Sequence, residues 1–573
     1  MLSETKSRQS EVKIGFAGKT LFTFLVFIFL LTTVQAQEPF LFKDFFPGGS
    51  SGRPGELTII GGTLFFNAAD VTNGRELWKS DGTLAGTVLV KNIHPTESSN
   101  PDFLTDVGGT LFFKAFDGTN GIELWKSDGT EAGTVLVKDI NPGVGSSNPG
   151  LLTAVGGTLF FTIDDGTDGA ELWKSDGTTA GTVLVKDINP GESNSGPINL
   201  ADVGGTLFFN ANDGTNGAEL WKSDGTTAGT VLVKDINPDE SSSGPDFLTA
   251  VGGTLFFSAR QQGESGPTTF GRELWKSDGT EAGTVLVKDI NSGTSDSSPA
   301  NLTNIGGTLF FVANDAVPTK GRELWKSDGT EAGTVMVKDI NPGSGDSGPD
   351  KLTDFGGTFI FRAFDDINGF ELWKSDGTEA GTVLVKDINP GMSGSFPDFL
   401  TDFGGTLFFK AFDGTNGIEL WKSDGTSNGT VLVKDINPGM SSSSPAFLTD
   451  FGGTLFFQAN DGTNGDELWA LKSNPSDVAE DGQFAPKVFF LKQNWPNPFN
   501  PSTKIKYSIA ENSLVRLSVY NLLGEEVSVL VNKMVDAGFY EVTFNAAKLS
   551  SGIYFYRLQA SDFVEIKKMV LIK

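Results

Sequence analysis

The sequence predicts an all-β chain: a β-propeller of about nine four-stranded blades closed by an N-terminal strand, followed by a small Ig-like β-sandwich. Three observations predict it. The tripeptide "ELW" recurs with its Trp at 78, 125, 173, 221, 275, 325, 373, 421 and 469, at steps of 47 to 54 residues. Within each step, four short β-branched or aromatic runs are bounded by Gly, Asp, Asn or Pro, which is strand and turn grammar. Nothing in the chain keeps a helical period at length.

The first 36 residues read as a signal peptide. Lys6, Arg8, Lys13 and Lys19 precede an apolar run, Leu21 to Leu31, and Val34-Gln35-Ala36 fits a small-residue cleavage site, placing the cut between Ala36 and Gln37. Eleven apolar residues are too few to cross about 30 Å of hydrocarbon, and no later segment is longer and as apolar. The mature form is expected not to span a membrane.

Residues 37–470 carry the repeats. One unit, Pro101 to Gly143, reads "FLTDV", a Gly-Gly turn, "TLFFKAF", a "DGTNG" turn, "IELWKS", a "DGTEAG" turn and "TVLVKDI", then a Pro-Gly connector. Four antiparallel strands in about 48 residues, repeated many times, are a propeller pattern. The continuous apolar triplets "LFF" and "VLV" are expected to be buried on both faces. The ninth unit stops after its third strand. "FLFKD" at Phe40 to Asp44 aligns with "VLVKD", so the N-terminal segment is expected to supply the missing outer strand and close the ring. Nine blades exceed the usual 4–8, and two smaller rings or an irregular array stay open as alternatives.

A polar linker at 471–487 leads to a different grammar at 488–573, where about seven alternating strands without a repeat predict a sandwich. There is no cysteine among 573 residues, which excludes disulfides, thiol nucleophiles and thiolate metal sites. The formal net charge is −28, and residues 37–486 alone carry −34. So acidic a body repels nucleic acid and anionic lipid.

Repetition weighs against catalysis. Nine equivalent Glu-Leu-Trp segments do not make nine active sites, and the single histidine, His94, stands where other units have Asn. A Ser-His-Asp triad is therefore not expected, and no catalytic or metal-ligating residue is assigned. The recurrent Trp is expected as a wedge between blades rather than a sugar-stacking ring. The Glu before it is expected to pair with the Lys of "VLVK". The Asp of "SDGT" is expected to accept turn N–H bonds. Calcium is the alternative ligand for the Asp and Asn of turns such as Asn212 to Glu219, although the alternating ligand order of a calcium loop is missing.

Several resemblances add to this. The split last blade is similar to that of WD-repeat propellers, and "LWKSDGTEAGT" loosely resembles the Asp-box hairpin of sialidase-type propellers. Over residues 40–470 the chain resembles the bacterial surface proteins named for the "ELWxxDGT" repeat. Residues 488–573 resemble the type A C-terminal sorting domain of the type IX secretion system, through Pro496-Asn497-Pro498, "VYNLLGEEV", Ser551-Gly552-Ile553-Tyr554 and Lys567-Lys568. Trp495 and Phe544-Asn545 depart from that family's commoner Tyr and Trp-Asp, keeping an aromatic and a polar partner. That resemblance implies export, passage through the type IX machinery as a partner, and release or display at the surface of a bacterium with an outer membrane.

The function expected is binding or adhesion to an extracellular glycan or protein, without catalysis or cofactor. The alternative is a glycan hydrolase or lyase. Turns on one face are short and alike in every unit. The connectors and the loops after "LFF" vary, most of all at Ala259 to Arg272. Ligand contacts are expected near Arg260, Gln262, Phe270 and Arg272.

Overall fold

The computed structural model describes residues 38–167, 169–191, 193–238, 240–261, 270–316, 319–472, 489–491, 494, 497–536, 538–561 and 563–572. Among these there is no helix, and so none long and apolar enough to cross a membrane. The signal-peptide reading, with Ala36 and Gln37, lies outside the described residues, as do Gln262 and Pro496.

Strand order follows from the turns. In blade two, Asp102–Val107, Thr110–Phe116, Ile122–Ser127 and Val135–Lys138 pair in sequence order, all antiparallel. Nine such four-stranded sheets are present. The innermost strand of each contacts the innermost strand of the next, and that of blade nine, Ala446–Phe451, contacts that of blade one, Gly55–Ile60. The nine sheets form a single closed ring.

The ninth sheet is closed as expected. Phe40–Lys43 pairs antiparallel with Asp466–Lys472, with Leu41 opposite Trp469 as Leu136 stands opposite Trp125 in blade two.

The core is a set of nine apolar layers, one between each pair of neighbouring blades. Between blades one and two, Ile60, Phe65, Leu77 and Val90 meet Leu111, Phe113, Ala115 and Trp125. Each "ELW" Trp is buried in such a layer, so it is an inter-blade wedge. The layers are close enough to require glycine at one point. A Cβ on Gly129, in a turn of blade two at φ +85°, would stand 3.1 Å from the Phe65 ring of blade one.

"LFF" is buried on both faces, but "VLV" is not. Its first Val is half-exposed, as at Val88 and Val285, and only its last is buried, Val433 of blade eight being partly exposed as well. The run lies at the outer edge of each blade, where the next blade covers one face only.

The C-terminal region has seven strands in two sheets. Phe490–Leu491, Ser502–Ile509 and Gly538–Asn545 form one. Ser513–Tyr520, Glu526–Val535, Gly552–Ala560 and Phe563–Leu571 form the other. Ile505, Leu517, Val519, Tyr556 and Met569 are buried in the one core beneath them.

Candidate binding face

The "ELW" Glu does not pair with the Lys of "VLVK". It is fully buried in all nine blades and bonds to the connector that leaves its own blade. In blade six, Ile340 N–H donates to Glu323 Oε2 at 2.8 Å, Ser347 N–H to Oε1 at 3.1 Å and Ser347 Oγ–H to Oε2 at 2.5 Å. A carboxylate with three fixed donors ties a loop to the sheet. Burial pushes the pKa of all nine up, against those hydrogen bonds, and to about 7 at Glu219, Glu273, Glu323, Glu371 and Glu467.

The outer-strand Lys reaches the next blade instead. Lys288 Nζ donates to Thr334 O at 2.8 Å and lies 5.9 Å from the Trp325 ring centre. The same bond to a Thr carbonyl recurs from Lys43, Lys91, Lys138, Lys186, Lys234, Lys338 and Lys386. At the seam, Lys434 turns to Pro39 O and Glu38.

The two faces differ in construction. On the uniform face, the Asp of each "SDGT" accepts from its own turn. Thr130 Oγ1–H and N–H bond Asp128 Oδ1 at 2.7 and 2.8 Å and hold its carboxyl below the usual range. On the other face, Asp117 of "DGTNG" accepts from Thr119 N–H, Asn120 N–H and Asn120 Nδ2, so the letters that suggested calcium also serve an Asp turn. Among the described residues, no group of three or more His, Cys, Asp and Glu is placed to hold a metal.

The varied face contains a station that the sequence conceals. The residue two before each blade's inner strand, or its equivalent in a Gly, has a left-handed backbone: Arg53, Asn100, Asn148, Gly196, Gly244, Ser298, Gly348, Phe396 and Ser444, at φ between +46 and +55°. The second residue of each inner strand is left-handed too. These are Glu56, Phe103, Leu151, Asn199, Phe247, Asn301, Lys351, Phe399 and Phe447, at φ +54 to +57°. Each makes a bulge, and several side chains there reach the next blade: Glu56 Oε2 accepts Leu104 N–H, and Lys351 pairs with Asp398. Left-handed φ costs a non-glycine residue on the order of 1 kcal/mol.

Of the expected ligand contacts, Arg260 stands opposite Arg272 and Gln261 opposite Phe270 on a lengthened hairpin in blade five. Both guanidinium groups are engaged within the chain. Arg260 pairs with Asp296, while Arg272 donates to the carbonyls of Gly244 and Ser243, and burial lowers its pKa. The hairpin is therefore braced to its neighbours.

In the sandwich, Asn497 Oδ1 accepts Val570 N–H at 2.8 Å, and Phe499, just after Pro498, exchanges backbone bonds with Val570 and Ile572. Tyr554 Oη–H bonds Ser550 O at 2.9 Å, Gly552 opens its strand opposite Leu571, and Lys567 pairs with Glu565. Lys568 stands opposite Phe555. The motif residues thus gather along the last two strands.

Solved structures similar to the chain include a puromycin hydrolase, at 14% identity over 72% of this chain and 58% of that one, with a TM-score of 0.33. Prolyl oligopeptidase B from Galerina marginata matches at 9% identity over 80% and 55%, TM-score 0.34. PorZ, an essential bacterial surface component of the type-IX secretion system of Porphyromonas gingivalis, matches at 12% identity over 94% and 100%, TM-score 0.17. The chain spans just over half the length of the puromycin hydrolase and of the prolyl oligopeptidase. No curated protein matches it. Residues 493–573 match the family described as the secretion system C-terminal sorting domain, so the chain ends in a sorting domain of the type IX kind.

Proposed function

We propose that the protein is a surface-displayed or released binding propeller, exported through the type IX machinery and acting by adhesion to a glycan or protein, without catalysis. The observation that carries this is the contrast between its faces. One repeats the same Asp-Gly-Thr turn, while the other carries the varied connectors and hairpins. The resemblance to "ELWxxDGT" surface proteins supports the same reading. So does the state of the nine equivalent Glu, each committed to backbone donors, and eight of them to a serine hydroxyl as well, rather than to a substrate. The sorting domain supports the route. Removing residues 488–573 is expected to leave the protein in the periplasm, seen by cell fractionation. Normal surface display of that truncation sinks the route. An oligosaccharide and peptide array probed with the full chain tests binding, and no retained ligand of either class sinks the adhesion reading.

A further inference from the structure

Blade seven departs from its eight siblings at two neighbouring stations on the varied face, and beside them stands a third Phe that blades two and eight also hold, as Phe116 and Phe412. The left-handed residue before an inner strand is Arg, Asn, Gly or Ser elsewhere, types that include the two that tolerate this backbone best. Leading into blade eight it is Phe396, at φ +49° and 51% exposed. The residue before the "ELW" Glu is Arg, Ile, Ala or Asp elsewhere; in blade seven it is Phe370. Opposite it stands Phe364. The rings form a row, Phe364 to Phe370 at 5.2 Å and Phe370 to Phe396 at 5.5 Å. Arg362 lies 5.6 Å from the Phe370 ring and is held there by Asp350.

Two exposed apolar side chains flank the row, beside the exposed Asp366 and Ser393. Ile367 is 76% and Met392 67% exposed. Their loops meet: a Cβ on Gly369 would stand 2.7 Å from Met392 O. A bulky ring in a left-handed backbone, turned half out to solvent where siblings hold Arg, Asn, Gly or Ser, carries a conformational cost. Strain of this kind is held where it serves a contact. The patch offers ring faces and aliphatic side chains, and its one cation is already paired. Ring faces stack on sugars as well as on apolar side chains, and the aliphatic flank of Ile367 and Met392 is what favours an apolar or aromatic side chain. The surrounding charge, −34 over residues 37–486, favours a cationic partner.

We infer that the row Phe364, Phe370 and Phe396 is a docking site for a basic polypeptide segment bearing aromatic or aliphatic side chains. The inference rests on the binding reading above and narrows it to one blade and one ligand class.

The test uses the full chain and fluorescence polarisation with three labelled peptides, alternating Lys-Phe, Lys-Ser and Glu-Phe, alongside neutral and acidic oligosaccharides as competitors. Lys-Phe is expected to bind at least ten-fold more tightly than either other peptide. Phe396→Asn and Phe370→Ile copy residues that sibling blades hold at the same stations. Each is expected to weaken Lys-Phe binding at least ten-fold, while Phe396→Asn melts no lower than the parent because it relieves the left-handed strain. A clear fall in its melting temperature with binding intact would make the ring a structural filler and overturn the proposal. Lys-Phe binding no stronger than Lys-Ser overturns the ligand class, as does displacement by an oligosaccharide. Array binding that survives both substitutions overturns this site and leaves the adhesion reading standing. An intact chain that binds no peptide and no oligosaccharide overturns both.

Discussion

Blade nine and its eight siblings solve one problem with different material. A sibling takes all four strands from one stretch of 37 to 43 residues, turned by Gly-Gly, a varied second turn and "SDGT". Blade nine takes three strands from 446–472 and its fourth from Phe40–Lys43. The "SDGT" turn is missing there, and with it the Ser-Thr hydroxyl pair that sits under that turn in the siblings, 2.7 Å apart at Ser327 and Thr334. Its buried Glu467 accepts two backbone donors, Phe45 N–H at 2.9 Å and Gly52 N–H at 2.8 Å, where Glu323 has a hydroxyl as well. The inter-blade layer is kept in full, with Phe45, Phe66, Trp78 and Phe456 packed together. The difference teaches that the ring depends on the layers between blades more than on the turns within them.

Four measurements sharpen or break that comparison. The largest effect is expected from deleting residues 38–46. It uncovers the edge of blade nine, removes Phe42 and Phe45 from the layer and strips Glu467 of a donor. The loss is more than about 5 kcal/mol by buried area alone, read as a large drop in denaturation midpoint. An unchanged midpoint would mean the ring is not held shut by this strand.

Next come the buried carboxylates. Glu323→Ala strands Ile340 N–H, Ser347 N–H and a hydroxyl, and is expected to cost about 3–5 kcal/mol. Glu467→Ala strands two donors and should cost less. Equal costs in urea titrations would show the hydroxyl to be idle.

How much of this was legible beforehand follows from where the signals sit. Strand order, wedge Trp and closing strand are written in short local words: "ELW", "GGT", and "FLFKD" matching "VLVKD". The partner of each Glu was not legible, because Ser347 lies 24 residues from Glu323 in a connector whose path depends on the next blade. The exposed first Val of "VLV" was misread because an edge strand and a central strand share one composition. The left-handed stations were invisible for a related reason. Phe103 and Leu151 look like ordinary strand residues, and their backbone is bent by the bulge that joins two blades.

The third effect depends on pH. An acid whose folded pKa is raised binds its proton more tightly folded than unfolded. Its stabilisation is complete below the unfolded value, near 4.5, and is lost as pH rises through the folded value, about 7 at Glu219, Glu273, Glu323, Glu371 and Glu467. Melting temperature is therefore expected to fall between pH 5 and 8. Glu323→Gln should flatten that slope by one group's share, and a melting temperature that rises over this range would contradict burial as the cause.

The smallest effect concerns the outer-strand lysines. Lys288→Met removes the bond to Thr334 O and the contact with Trp325, worth about 1 kcal/mol. Lys434→Met at the seam is expected to cost no more, since its partner Glu38 is 69% exposed. A much larger loss at Lys434 would make the seam a point of special electrostatic reinforcement.

The closing strand has one more consequence. It pairs Phe40 with Ala470, at the far end of the repeats, so the clasp is a very distant loop for the chain to shut, and non-local pairing is slow. Until it shuts, blade nine presents a bare hydrogen-bonding edge and the "FLFK" segment remains an unspent strand. Both halves of the clasp are then available to any other chain in the same condition. Concentrated refolding should therefore yield exchanged dimers and longer daisy chains, in which the leading segment of each molecule completes the ring of its neighbour.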